Sequence, residues 1–268
     1  MLVEWIKHRL TPAPAHLKAM GYVRELIAME ARHRRCRAAW APHLERCQAL
    51  ILKAAEGVGR GRVTVLGSGL LLDVPWRELV ETFDELRLVD ILHLPLVRKE
   101  TASTANVRLI EADVTGVAEA TYRHVEAGRD GSLPPPRADT GLYAASDLVV
   151  SANILTQLPL MPTAYLRDNA PTYGEDEIRA FARRIVEHHL ELLAALPGRV
   201  ALLTETRRVV VDGVRVLQEI DPLFGADVPR AGRHWTWDIA PRPELSRRYD
   251  LRFRMAGIPD LKAARAQP

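Results

Sequence analysis

The sequence predicts an α/β fold: a doubly wound, mostly parallel sheet of about seven strands with antiparallel final strands, preceded by a helical segment. From residue 62 onwards, short apolar runs alternate with stretches of helical periodicity, which is typical of a parallel sheet covered by helices on both faces. The predicted strands are 63–67, 86–90, 107–112, 147–152 and 199–205. The predicted helices lie around 75–83, 95–103, 116–127 and 176–196.

The antiparallel strands are predicted from the last part of the chain. Asp212-Gly213 separates two apolar runs, and this dipeptide favours a hairpin turn. Two later segments alternate apolar and polar residues, as half-buried strands do. Their apolar positions are Trp235, Trp237 and Ile239 in the first segment, and Leu251, Phe253 and Met255 in the second.

The N-terminal part is predicted to be a helical cap, residues 1–58, in front of an α/β domain of residues 59–268. Apolar residues recur at helical spacing in residues 16–30 and again in residues 44–54. Pro42 lies between the two stretches and is expected to break or restart the helix.

The composition is that of a globular protein, with 47% hydrophobic and 26% charged residues. Two cysteines are too few for a disulfide framework. No run approaches the roughly 18 apolar residues that a membrane span needs, and charged side chains occur where a secretory signal would be apolar. We therefore expect no membrane partner and, by default, a cytoplasmic location.

Basic residues outnumber acidic ones in the first sixty residues, with Arg32, Arg34, Arg35 and Arg37 close together. A solvated helix face explains such a run, and contact with RNA or another polyanion is the alternative. No interleaved aromatic residues or known binding motif accompany the arginines, so a nucleic-acid partner has no support from a motif.

Two histidine–cysteine pairs lie in the cap, His33 with Cys36 and His43 with Cys47. Their spacings bring each pair onto one helix face. The four side chains could bind zinc if the chain folds back at Pro42, whereas a continuous helix would hold the cysteines about 16 Å apart along its axis. Buried cysteines acting as small apolar side chains are the simpler interpretation, and we predict no metal site.

The segment most typical of a ligand site runs from residue 62 to residue 90. An apolar strand ends in Gly67-Ser68-Gly69, where glycine lets the backbone turn sharply and approach a ligand. Asp90 closes the next strand roughly 20 residues further on, where a carboxylate can accept hydrogen bonds from ribose hydroxyls. Together they predict a nucleotide-type cofactor. The alternatives are a turn that binds nothing and an Asp90 that caps a helix.

Three later segments narrow this prediction. Residues 106–114 form a strand with an acidic end, residues 147–159 a buried strand that runs into Leu-Pro, and residues 198–206 a strand after a long helix. In order and spacing, residues 62–206 resemble the class I S-adenosylmethionine-dependent methyltransferases, most specifically in the Asp-Leu-Val-Val-Ser run that begins at Asp147. The resemblance implies a Rossmann-like methyltransferase domain over residues 59–268 and S-adenosylmethionine as the cofactor.

The resemblance also implies which residues contact the cofactor. They are the turn Gly67, Ser68 and Gly69; Asp90 and Ile91 at the ribose and adenine; Asp113 and Val114 at the adenine; and Ser151 and Asn153 beside the methyl group and the substrate.

Two positions depart from the family pattern. The acid that usually lies two positions before the first glycine is Val65 here, and the usual third glycine is Leu71. Val65 removes a hydrogen-bond partner for the cofactor's amino group, and Leu71 is expected to narrow the turn. Asp73 is the nearby acid that could take the place of the missing one.

The predicted function is methyl transfer to an unidentified small-molecule acceptor. The sequence assigns no catalytic residue and no oligomeric state. His93, His234 and Tyr173 are conceivable bases, and residues 161–176 are the predicted substrate lid. Transfer of the cofactor's aminocarboxypropyl group on the same fold stays an alternative.

Two alternatives come from other classes of function. A non-catalytic descendant of the fold, serving binding or assembly, is favoured by Val65 and Leu71. A nicotinamide-dependent oxidoreductase is disfavoured, because Leu72 occupies the third glycine position of Gly-x-Gly-x-x-Gly.

Overall fold

A computed structural model describes residues 11–143 and 145–266 of the chain. The first ten residues of the predicted cap lie outside the described residues. The helices are α1 (Ala15–Ala19), α2 (Tyr22–Ala55), α3 (Trp76–Thr82), α4 (Pro95–Thr101), α5 (Val117–Glu126), α6 (Leu160–Asn169), α7 (Glu175–Ala195) and α8 (Leu261–Arg265). The strands are β1 (Arg62–Leu66), β2 (Glu85–Asp90), β3 (Val107–Glu111), β4 (Leu148–Ala152), β5 (Arg199–Asp212), β6 (Arg215–Ile220), β7 (Arg233–Ala240) and β8 (Asp250–Ile258).

The strands form one sheet in the order β3-β2-β1-β4-β5-β8-β7, and β6 pairs with the second half of β5. Strands β1 to β5 are mutually parallel, β8 is antiparallel to β5, and β7 is antiparallel to β8. The predicted fold class is therefore confirmed, with an 8-stranded sheet instead of about seven strands. The additional strand is β6, which forms the predicted hairpin with β5 around Gly213 (φ 61°).

Side chains that alternate along the central strands separate two hydrophobic cores, one on each face of the sheet. On one face, Val63 and Val65 pack with residues of α2 and α3. On the other face, Leu66 and Val149 pack with α7. Because both faces are covered, the central strands are apolar at almost every position, which is why they are readable from the sequence.

Helix α2 covers the sheet over 34 residues and is kinked at Cys36, where the backbone leaves the helical region (φ −102°, ψ 18°). The interruption that was predicted at Pro42 therefore lies at Cys36, and Pro42 itself is inside the helix. Burial of one helix face outweighs the hydrogen bond that a proline removes. Trp40, Cys47 and Leu50 of α2 belong to the same core as the sheet residues. The domain boundary at residues 58 and 59 stays a prediction.

The predicted lid over residues 161–176 is mostly helix. Its first part is α6, where the Tyr165 hydroxyl donates to Glu126 at 2.8 Å and so ties α6 to α5. Tyr173 is buried, and its hydroxyl lies 2.6 Å from Nε2 of His124, so it is not free to act as a base.

None of the helices among the described residues combines the length and the apolar character that crossing a membrane would require.

Candidate functional site

A cleft of about 340 Å³ lies at the carboxyl ends of β1 to β4, where open α/β sheets bind ligands. Its first half is formed by the turns that follow these strands. Its second half is formed by α2 and by residues of β5, β7 and β8. Of the predicted cofactor-contacting residues, those that line it are Gly67, Gly69, Asp90, Ile91, Asp113, Val114 and Asn153.

The turn after β1 needs glycine at its first position. Gly67 has φ 80°, and a Cβ there would lie 2.7 Å from the Cβ of Ile154 and 2.9 Å from the carbonyl oxygen of Ala152. The Gly67 amide donates to the Val89 carbonyl at 2.9 Å, which fixes the turn against β2. Gly69 also has a positive φ, 48°, but a Cβ there would meet no atom closer than 4.0 Å. The turn therefore passes tightly over the end of β4 at Gly67 and opens at Gly69.

Asp90 connects the glycine turn to the end of β2. Its carboxylate accepts hydrogen bonds from the amides of Gly69 at 2.7 Å and Ile91 at 2.8 Å. Burial raises the pKa of Asp90 to about 6, and the charge of nearby Asp73 adds to the effect, while the backbone hydrogen bonds oppose it. Asp90 is thus a cleft carboxylate that the backbone orients and that no cation neutralises among the described residues.

Asp113 has a structural role as well as a place in the cleft wall. Its carboxylate accepts from the Thr115 amide at 2.9 Å and from the Ala118 amide at 2.7 Å, so it caps the start of α5. Val114 beside it is buried and lines the same wall. The predicted contact with adenine has to share this carboxylate with the helix cap.

The side chains of Ser68 and Ser151 do not line the cleft, so the structure does not bring these two side chains together with the other predicted cofactor contacts. Ser68 Oγ lies 3.1 Å from Nε2 of His93, and Ser151 Oγ lies 3.0 Å from Nε2 of His189. All four side chains are buried. Ser151 faces α7 because β4 alternates, and its neighbours in the strand face α2. Because the Ser151 side chain is buried against His189 of α7, it cannot contact a ligand in the cleft.

Buried histidines that pair with the two serines are neutral. Burial lowers the pKa of His93 to about 4 and the pKa of His189 to about 4. His93, one of the conceivable bases, is held inside the fold by Ser68 and away from any cleft ligand. A catalytic role for His93 has no support from this geometry.

Asn153 lies at the point where β4 ends, with a left-handed backbone (φ 53°). Asparagine tolerates this conformation better than most non-glycine residues, and here it turns the chain at the end of the strand. Its Nδ2 donates to the Asp73 carboxylate at 2.6 Å and contacts the Cys47 sulfur at 3.5 Å. Asn153 therefore joins the glycine-turn segment to α2 across the floor of the cleft.

The two departures from the family pattern both point away from the cleft. Val65 is fully buried in the core beneath α2, and Leu71 is 6% exposed in the same core. Leu71 has φ 61°, so this leucine takes up the backbone conformation that a glycine would have provided. The expectation that Leu71 narrows the turn is wrong, because its side chain packs into the core and its neighbours Leu70 and Leu72 line the cleft.

The second half of the cleft has aromatic walls, formed by Trp40, Trp237 and Phe253. Trp237 contacts Trp40 edge-on at a centroid distance of 4.9 Å and Phe253 edge-on at 5.7 Å. The His43 ring stacks on Trp237 at 3.9 Å. The alternation of β7 predicted that Trp235 and Trp237 share a face. Only the packing of α2 on that face brings Trp40 and His43 to it.

An ion pair closes the far end of the aromatic half. Glu205 is buried and accepts from Thr156 Oγ1 at 2.6 Å and from Arg208 Nε at 3.1 Å. The Arg208 guanidinium lies 5.3 Å from the centre of the Phe253 ring. Because Arg208 neutralises Glu205, this end of the cleft is polar without carrying net charge.

His43, Cys47 and Asp73 offer ligand atoms within 4.8 Å of one another, a grouping that could hold a metal ion. Trp235 Nε1 donates to His43 Nδ1 at 3.0 Å, and an indole N–H is donor-only, so the His43 proton lies on Nε2. Nε2, 3.5 Å from the Cys47 sulfur, then has no lone pair for a metal. His33 and Cys36 lie elsewhere: His33 packs beside Trp40, and Cys36 is buried. The four-residue zinc cluster does not assemble.

Comparisons with known proteins return matches among solved structures only. No protein-family model matches the chain, and no curated protein matches it. The structural neighbours include a DhpI complex with SAH, at 15% identity over 88% of this chain and 95% of that one, with a TM-score of 0.36. Another is the 1,6-didemethyltoxoflavin-N1-methyltransferase of Burkholderia thailandensis (15% identity, 92% and 91% coverage, TM-score 0.33). A third is the N-methyltransferase NodS of Bradyrhizobium japonicum (11% identity, 79% and 85% coverage, TM-score 0.35). At such identities and TM-scores the likeness assigns no ligand to this chain, and the residues of the cleft must do so.

Alanine substitutions at Gly67 and Gly69 distinguish the cost of a collision with the end of β4 from the cost of left-handed backbone strain. We expect Gly69→Ala to lower the free energy of unfolding by about 1 kcal/mol, because it adds left-handed strain alone. Gly67→Ala adds a collision with the end of β4 and should cost about 3 kcal/mol. Urea unfolding followed by circular dichroism measures both. Equal losses for the two variants would contradict the close approach at Gly67.

The buried histidines predict a loss of stability in acid. An unfolded histidine takes up a proton near pH 6.5, but folded His189 does so only near pH 4, so the free energy of unfolding falls as pH falls between these values. His189→Gln should reduce this slope by up to about 1.4 kcal/mol per pH unit. Urea titrations between pH 7 and pH 4 measure the slope. The same substitution at the exposed His234 serves as the control for the change of side chain. An unaltered slope in His189→Gln would contradict the neutral buried state.

Proposed function

We propose that the protein transfers a methyl group from S-adenosylmethionine to a small-molecule acceptor. The observation that carries the proposal is the hydrogen bond between the Gly69 amide and the Asp90 carboxylate, 2.7 Å long, at the edge of the cleft. It joins a sharp glycine turn to an oriented acid without a counter-ion, and this arrangement suits a ribose-bearing ligand.

Asp90 retains acceptor capacity for that ligand. A carboxylate has about four lone-pair sites, and backbone hydrogen bonds from Gly69, Ile91 and Leu92 take three of them. The remaining site can accept from a ribose hydroxyl. The raised pKa of about 6 leaves Asp90 ionised at neutral pH, when it is the stronger acceptor.

The rest of the first half suits the other parts of the cofactor. Gly67 and Gly69 present bare backbone to it, Ile91 and Val114 offer apolar walls for adenine, and Asp113 lies at their end. Asn153 lies between this half and the aromatic half. We propose contact through the backbone alone for Ser68, and only an indirect, supporting position for Ser151.

When bound, S-adenosylmethionine supplies an electrophilic methyl group on a sulfonium. The contribution of the chain is to align the acceptor and to exclude water, since positioning accounts for much of the rate in such transfers. The left-handed Asn153 and the wall contributed by α2 border the junction of the two halves. We assign no general base.

We further propose that the acceptor has a flat, apolar body. Three aromatic rings from α2, β7 and β8 line the second half, together with aliphatic side chains such as Leu44 and Ile239. Aromatic rings favour offset-stacked or edge-on partners of similar shape. The neutralised Glu205–Arg208 pair provides polar contact at the end without demanding a charged acceptor.

Binding of S-adenosylhomocysteine tests the cofactor. Isothermal titration calorimetry should give saturable micromolar binding, and Asp90→Asn should weaken it tenfold or more, about 1.4 kcal/mol, because the neutral amide is a poorer acceptor. Asp84→Asn, at an exposed residue remote from the cleft, is the matched control and should bind as the wild type does. No heat and no thermal stabilisation at millimolar ligand would overturn the proposal. A fold retained for binding or assembly would then be the better account.

A screen of candidate acceptors with two differently labelled cofactors tests the class of acceptor and the group that is transferred. Phenols, anilines and indoles are compared with aliphatic alcohols and amines, using cofactor labelled in the methyl group and, separately, in the carboxyl carbon. We expect the methyl label to appear in flat aromatic compounds. In Phe253→Leu, the acceptor concentration needed for half-saturation should rise tenfold, while the affinity for S-adenosylhomocysteine stays unchanged. Carboxyl label in the product would indicate aminocarboxypropyl transfer. Labelling of aliphatic compounds alone would contradict the aromatic acceptor site.

A further inference from the structure

Asp73 is an acidic group in the cleft to which the proposed contacts give no function. It follows the glycine turn, lines the cleft, and accepts a hydrogen bond from Asn153 Nδ2 at 2.6 Å. Among the described residues it has no salt-bridge partner, and burial raises its pKa. Its charge also raises the pKa of Asp90 and of the Cys47 thiol, so it acts on both halves of the cleft.

The side chains around Asp73 cannot neutralise it. Burial lowers the pKa of His43 to about 3, so this imidazole is uncharged, and the Trp235 N–H holds its proton on Nε2. Cys47 is fully buried and its raised pKa keeps it a thiol. Asn153 donates one N–H and carries no charge. A metal ion is disfavoured by the same His43 tautomer.

A partly buried carboxylate such as Asp73, when it has no counter-ion, is costly unless a ligand provides one. The cofactor proposed above carries a primary ammonium group on its methionine part, and Asp73 lies on the same turn segment as Gly67 and Gly69, with Asp90 within electrostatic reach. Val65, where the family has an acid, is buried in the core and cannot reach the cleft.

We propose that Asp73, oriented by Asn153, binds the ammonium group of the cofactor's methionine part. The inference rests on the proposed function. It assigns the contact with the amino group to an acid that follows the glycine turn. The Asp73 carboxylate faces the cleft, whereas the side chain of Val65, before the turn, faces the core.

The experiment compares three ligands that share adenosine and sulfur. S-adenosylhomocysteine has the ammonium and the carboxylate, its deaminated analogue keeps only the carboxylate, and 5′-methylthioadenosine has neither. Calorimetry is performed on the wild type, on the near-isosteric Asp73→Asn, and on Asp84→Asn as the control. Asp73→Asn should bind S-adenosylhomocysteine at least tenfold more weakly, about 1.4 kcal/mol, and should bind the other two ligands within twofold of the wild type.

Each further outcome decides the question. If Asp73→Asn binds all three ligands more weakly by the same factor, or binds all three as the wild type does, the ammonium contact is overturned. Should Asp73→Asn fail to fold, the wild type alone decides: equal affinity for S-adenosylhomocysteine and its deaminated analogue would overturn the inference. Failure of the proposed function looks different, since the wild type would then bind none of the three ligands.

Discussion

The approach of the Gly67 backbone to the end of β4 is the constraint on which the cleft depends. Only hydrogen fits between Gly67 and the Ala152 carbonyl, and the Gly67 amide is bound to β2 at the same time. This contact places the turn after β1 directly over the switch from β1 to β4, so that Gly69, Asp90 and Asn153 face one space. Without it, the carboxyl ends of three strands would still be adjacent, but the backbone would not form a wall around a ligand.

The polar groups near the sheet divide into those that seal the fold and those that face the cleft. Ser68 with His93 and Ser151 with His189 satisfy each other inside the core, and burial keeps both histidines neutral. Asp73 and Asp90 are ionisable groups that the protein orients through amide donors and leaves without a cation. Such an arrangement costs stability, because the desolvated carboxylates are not paired with a positive charge.

The two departures from the family pattern affect the core more than the cleft. Val65 and Leu71 pack beneath α2, and the left-handed conformation of Leu71 preserves the path of the turn. An acid at position 65 would be buried in an apolar core, where ionisation is penalised. Helix α2, which packs on that core, also brings Trp40 and His43 to the cleft.

The sequence by itself determined most strands and helices of the α/β domain, the glycine turn and the acids at the ends of β2 and β3, but it did not predict α6, which lies in the predicted lid. These depend on local periodicity and on glycine, whose effects act within a few residues of chain. The tertiary structure decided which face each side chain takes and which distant residues meet. It turned Ser68 and Ser151 inward, carried α2 through Pro42, and joined Asp73 to Asn153. Contacts between residues tens of positions apart follow from how helices pack on the sheet, and no local pattern encodes that packing.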